Sequence, residues 1–201
     1  MLFINGFWLS GRIGLTVVLV FFFSGCAISK PSDKSQFFLL SAPDLASQSY
    51  SADTAGLVGV GPISFADYLK RSTIVIQQSA NQYDIAKLDQ WGGRLEDEFQ
   101  LALLKNLLVN RPDKHFVAHS GMLAAQTVVQ LKADIYRFDV TPQGQARIEA
   151  SWAWVDRSNR MLAGGNYSAR KDAGITLEQK ISAMSDLVGL FAEEVSAKLP
   201  R

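Results

Sequence analysis

His115 and His119 are the only histidines in the 201 residues. Four apart, they would share one face of a helix and could hold a metal there. Here they bracket the apolar run Phe116-Val117-Ala118, a predicted strand, with no Cys or carboxylate at ligand spacing. Solvated or locally bonded imidazoles are the simpler reading. Glu96, Asp97 and Glu98 suggest acid–base chemistry, but consecutive residues point to different sides of a helix. They fall in the first turn of a predicted helix, where the dipole favours anions. Gly59-Val60-Gly61 does not make a phosphate loop, because Pro62 lacks an N–H and no helix start follows. The chain contains no Gly-x-Ser-x-Gly elbow. Trp152 and Trp154 could line an apolar ligand site, although alternating aromatics in a strand are usually core. These residues describe a protein that is not an enzyme and takes no metal or cofactor.

Cys26 is the single cysteine, so no intramolecular disulfide is possible. Before it come Arg12, the apolar run 13–23 and the small residues Ser24-Gly25. That run is too short to span a bilayer on its own, which needs about 20 apolar residues. A basic start, a short apolar core and small residues before a cleavage point describe a secretory signal. Phe23-Ser24-Gly25-Cys26 resembles a bacterial lipobox. The alternatives are an ordinary cleaved signal with an incidental cysteine, or a retained anchor starting near Met1. The lone cysteine at the acyl-acceptor position favours lipidation, giving residues 1–25 as signal peptide and Cys26 as the lipidated residue. Several acyl chains on one cysteine anchor permanently, whereas one is marginal. Ala27, rather than Asp, follows Cys26, which by the usual Gram-negative sorting rule implies the outer membrane, periplasmic face. Residues 26–36, polar and with Pro31, read as a tether.

Removing residues 1–25 removes one cation, Arg12, and leaves 19 of each sign. A neutral mature chain has no electrostatic footprint for nucleic acid. Residues 37–201 suffice for one domain with a substantial core. Predicted strands are Phe37–Ser41, Leu57–Val60 (ending at Gly61-Pro62), Ser72–Gln78, Tyr83–Leu88 and Phe116–Ala118. From Thr127 a three-stranded antiparallel meander follows, with turns at 141–144 and 156–160. The apolar phase slips near Ile135-Tyr136, which predicts a bulge. One helix is predicted from Arg94 to Asn110, with Leu95, Phe99 and Leu103 inward. A last helix opens at Thr176 with Gln179 as a capping box; Ile181, Met184, Val188, Phe191 and Val195 line one stripe. The fold class is α/β of the α+β kind: a single domain, with two long helices on a mixed, largely antiparallel sheet.

The stretch from Gly56 to Leu108 is the most distinctive. Gly59-Val60-Gly61-Pro62 leads through Tyr68-Leu69-Lys70-Arg71 to Trp91 and the helix after it. This stretch resembles the ABC-type transport auxiliary lipoproteins, the PqiC-like family. Ala66 stands where Pro is usual, Gln77 where Arg is common, and Gly93-Arg94 where Glu-Pro is usual. The resemblance implies an accessory lipoprotein of a trans-envelope lipid transport system that supports membrane integrity. It implies partnership with a periplasm-spanning protein bearing mammalian-cell-entry (MCE) domains and an inner-membrane transporter component, and is compatible with a homo-oligomer. The connection Phe65 to Arg71, with Phe65, Tyr68, Leu69, Lys70 and Arg71, is the expected partner-binding segment, because loops on rigid scaffolds often carry binding. Three alternatives remain open: Tyr68 and Leu69 serving as a lid on the core, a lipoprotein that binds lipid or a small molecule in its own apolar pocket, and a purely structural envelope protein.

Overall fold

The computed structural model describes residues 35–45 and 56–200. The expected signal peptide, Cys26 and most of the expected tether therefore lie outside the described residues. The described residues form one compact unit.

Eight strands form one sheet. In chain order they are β1 (Gln36–Phe38), β2 (Leu57–Phe65), β3 (Thr73–Ser79), β4 (Gln82–Trp91), β5 (Phe116–Ala118), β6 (Thr127–Val140), β7 (Gln145–Asp156) and β8 (Met161–Asp172). The helices are α1 (Leu95–Asn110) and α2 (Leu177–Ala197). β6, β7 and β8 make the antiparallel meander, with the longest ladders in the sheet. The sheet is mixed, because β2 pairs in parallel with both β5 and β6, and β1 with β4.

β6 carries the architecture. Its length lets one edge serve two partners in succession: β2 pairs from Thr127 to Ile135, and β3 meets it at Val140. The other edge carries β7, with a register shift between Ile135 and Arg137 where the apolar phase slips. The slip keeps Ile135 and Phe138, three residues apart, both buried against the helices.

Both helices cover one face. Phe99 of α1 is fully buried and meets Phe138 edge-on at 5.2 Å, Phe65 at 5.4 Å and Phe191 of α2 at 6.2 Å. These rings knit the two helices to β2 and β6, in the edge and tilted geometries that aromatic quadrupoles favour. Thr176 Oγ1 accepts from the Gln179 amide, and Gln179 closes the reciprocal bond, completing the capping box. Trp154 is fully buried and donates from Nε1 to the Val195 carbonyl at 2.9 Å. With Trp152 also buried, these rings belong to the sheet–helix core.

Several boundaries differ from the sequence reading; β4, expected to end at Leu88, runs to Trp91. β2 does not end at Gly61-Pro62 but continues to Phe65. The ladder skips between Val60 and Ile63, so the missing N–H of the exposed Pro62 falls inside an irregularity rather than a regular pair. Gly61 takes φ +105°, and a Cβ there would come within 2.9 Å of Gln100 Oε1, so only glycine fits. Gln130 Nε2 donates to the Gly61 carbonyl at 2.7 Å, supplying a bond that the ladder omits. β1 stops at Phe38, and the chain turns toward α2, where Ser41 N donates to Ser185 Oγ at 3.0 Å.

Candidate docking surface

The connection from Phe65 to Arg71 spans the point where the edge of β6 passes from β2 to β3. Ala66 N donates to the Ile135 carbonyl at 2.9 Å, tying its start to β6. Asp67–Leu69 then makes one 3₁₀ turn, closed by Leu69 N to the Ala66 carbonyl (2.9 Å) and Lys70 N to the Asp67 carbonyl (3.2 Å).

The five residues expected to bind a partner divide by burial. Phe65 and Leu69 are core residues; they hold the connection down and present no surface. Tyr68 is half-buried. Its ring lies 4.9 Å from that of Tyr83, and its hydroxyl donates to the Tyr136 carbonyl at 3.4 Å. Burial, aided by the nearby charge of Asp139, raises the Tyr68 phenol pKa, so it stays protonated and remains a donor. Lys70 and Arg71 face solvent. Lys70 pairs with Asp67 at 2.8 Å, which raises the ammonium pKa and lowers that of the carboxyl. So exposed a pair adds little stability. It shapes the local charge and leaves Arg71 beside a neutralised neighbour.

A polar network lies under this connection. Asp139 on β6 has no exposed side-chain surface. Arg147 on β7 donates to its Oδ1 from Nη2 at 2.8 Å and from Nε at 3.1 Å. Arg137 Nε lies 3.6 Å from Oδ2, and its Nη1 donates to Glu149 at 2.6 Å. Arg147 also donates to Gln77 Oε1, and Gln77 Nε2 donates to the Tyr83 hydroxyl at 3.3 Å. Desolvation dominates at Asp139, holding its pKa above the ordinary carboxylate value although both arginines pull it down. The network joins β3, β4, β6 and β7 beneath Tyr68, so the surface segment rests on a locked base.

Sequence reading missed this network, although its signal is present. Arg137-Phe138-Asp139 and Arg147-Ile148-Glu149 flank one hairpin turn, and the register sets Arg137 against Glu149 and Asp139 against Arg147. Opposite charges facing across an antiparallel ladder are a favourable pairing. Gln77, noted only as a departure from Arg, is 5% exposed and belongs to the same network.

Elsewhere the candidate residues stay apart. His115 and His119 flank β5; His119 Nδ1 lies 2.6 Å from Gln130 Nε2. Among the described residues no three His, Cys, Asp or Glu gather as a metal site. Glu96, Asp97 and Glu98 occupy the first turn of α1. The hollows are open and mixed in lining. One of about 430 Å³ lies between residues 41–43, α1, β8 and α2, and another of about 530 Å³ lies along β6, β7 and β8. Trp152 borders the second of these, and Trp154 lines neither. Among the described residues no helix is long and apolar enough to cross a membrane.

Fold and site together define an α+β scaffold that presents a braced, basic connection at its surface. The family follows from the sequence match: the chain belongs to the ABC-type transport auxiliary lipoprotein components, whose family model matches residues 38–196. Solved structures share the fold. One, an uncharacterised protein, superposes with a TM-score of 0.69 at 16% identity, over 84% of this chain and 100% of its own. Another, a Xanthomonas campestris protein of the DUF330 family, gives 0.62 at 12% identity, over 80% of this chain and 92% of its own. No curated protein matches the sequence.

Proposed function

We propose that this protein is a lipid-anchored accessory component of a trans-envelope lipid transport system, held at the outer membrane by acylated Cys26. There it docks an MCE-domain partner that bridges the periplasm to an inner-membrane transporter. Family membership supports the transport context. The observation that carries the docking role is the connection after β2: Lys70 and Arg71 are exposed on a segment pinned by buried Phe65 and Leu69. Pinning matters because a pre-ordered contact loses less entropy on binding. Arginine and tyrosine are, with tryptophan, the side chains enriched among interface anchors. A lipid carrier with its own cavity finds less support, since Trp154 is packed into the core and the hollow that Trp152 borders is open and mixed in lining.

The test is the charge reversal Lys70→Glu with Arg71→Glu, which removes nothing from the core. Exposed substitutions of this kind change stability by about 0.5 kcal/mol or less. The variant should lose co-purification of the MCE-domain partner from detergent-solubilised membranes while melting like wild type. Undiminished co-purification would clear this segment of the docking role.

A further inference from the structure

The point where the chain enters the domain carries an apolar patch that the core does not use. β1 is an edge strand at one end of the sheet. Along β1 and the two residues after it, alternate side chains divide sharply: Leu40 is buried and Phe38 packs against the core, whereas Phe37 and Leu39 are 67% and 58% exposed. The parallel register sets Gln36 against Asp89 and Phe37 against Gln90, which brings the exposed Leu88 of β4 alongside. Leu39 lies across Gly92, where an added Cβ would come within 2.7 Å of its Cδ2. Gly92 N donates to the Phe38 carbonyl at 2.8 Å, so the strand bearing the patch is held to the sheet. Large apolar side chains grouped on an exposed edge point to something that covers them.

We propose that Phe37, Leu39 and Leu88 rest in the headgroup boundary of the bilayer that Cys26 anchors, and so fix the orientation of the domain on the membrane. This rests on the lipid-anchored reading of Cys26. The position of the patch selects the occupant: only residues 27–36 separate it from the acylation site. Ten extended residues reach at most about 35 Å, so the patch never leaves the neighbourhood of the surface. Short tethers give effective concentrations in roughly the millimolar range, and a second contact that is weak alone then becomes occupied. Three side chains therefore suffice to orient a domain that they could not recruit. The orientation would hold one end of the sheet at the membrane and direct β8, at the other end, away from it.

Acylation of Cys26 leaves no native thiol, so single cysteines can be spin-labelled in the full lipoprotein. The protein is reconstituted in vesicles of phosphatidylethanolamine and phosphatidylglycerol, with a nitroxide at Leu39→Cys or at Met161→Cys, the latter at the exposed start of β8. The Leu39 label should collide several-fold less with a water-soluble nickel chelate, and more with oxygen, than the Met161 label. Adding Phe37→Ser and Leu88→Ser should return it to the Met161 level. Equal chelate accessibility at the two sites, with mass spectrometry showing acylated Cys26, overturns the patch alone. An unacylated Cys26 overturns the anchor and the patch together.

Discussion

Replacing Arg147 by Met would test whether the network beneath Tyr68 braces the domain. Asp139 is fully buried, and Arg147 supplies both of its short bonds. Once that guanidinium is removed, the remaining cation is Arg137, 3.6 Å away and engaged with Glu149 at 2.6 Å. Breaking a buried ion pair from one side costs about 3–5 kcal/mol, because the charge left behind stays desolvated. In a domain of this size each kcal/mol lowers the melting temperature by roughly 2–4 °C, so the expected drop is about 6–20 °C near neutral pH. The sign with pH follows from the direction of the shift. The Asp139 carboxyl has a folded pKa above its ordinary 3.8, and losing Arg147 raises it further. A group raised on folding favours the folded state below its unfolded pKa, and that contribution is lost as pH rises through the folded pKa. The deficit of the variant should therefore be smallest in acid and grow toward neutrality. Asp139→Asn added to Arg147→Met removes the stranded charge and should recover part of the loss and most of its pH dependence. Thermal melts followed by circular dichroism across pH would read all three variants. An Arg147→Met protein that melts like wild type at neutral pH would refute the reasoning, as would a double variant no more stable than the single.

Three further outcomes follow from the same structure. Phe191→Ala empties a fully buried site against Phe99 and Tyr167 and should cost about 3–5 kcal/mol, read by chemical denaturation; an unchanged midpoint would mean that α2 does not pack as described. Thr176→Ala removes the capping box of α2 and should cost about 1 kcal/mol in the same measurement. Mass spectrometry of the membrane form should find an acylated N-terminal Cys26, and Cys26→Ala should leave the precursor uncleaved or released; an unmodified cysteine would remove the anchor from the account.

Much of this fold is legible in the chain because its signals are local. The capping box, the stripes of both helices, the meander and the phase slip near Ile135 each lie within a few residues of sequence. The order of strands is not local. That β2 and β3 share one edge of β6 depends on packing between segments some seventy residues apart, and no periodicity encodes it. β2 runs past Gly61-Pro62 because Gln130, equally distant, supplies a bond there. The candidate site was legible as a segment but not residue by residue. Phe65, Tyr68 and Leu69 look alike as apolar letters in a connection, and only the fold assigns two to the core and leaves Tyr68 half-buried. Asp139 went unremarked because an acidic residue in an alternating strand ordinarily faces water. It is buried because Arg147 and Arg137 pair with it and Tyr83 bonds to it, with Gln77 holding Arg147 and Tyr83 in place.

The central claim is that the surface after β2 meets the periplasm-bridging partner, and contact in the living cell tests it most directly. A photo-crosslinking amino acid at Arg71 leaves the fold untouched, since that side chain is exposed. On irradiation of intact cells it should yield a covalent adduct with an MCE-domain protein, while the same probe at Met161 on β8 should not. Adducts that never contain an MCE-domain protein, from cells in which that partner is present, would contradict the account.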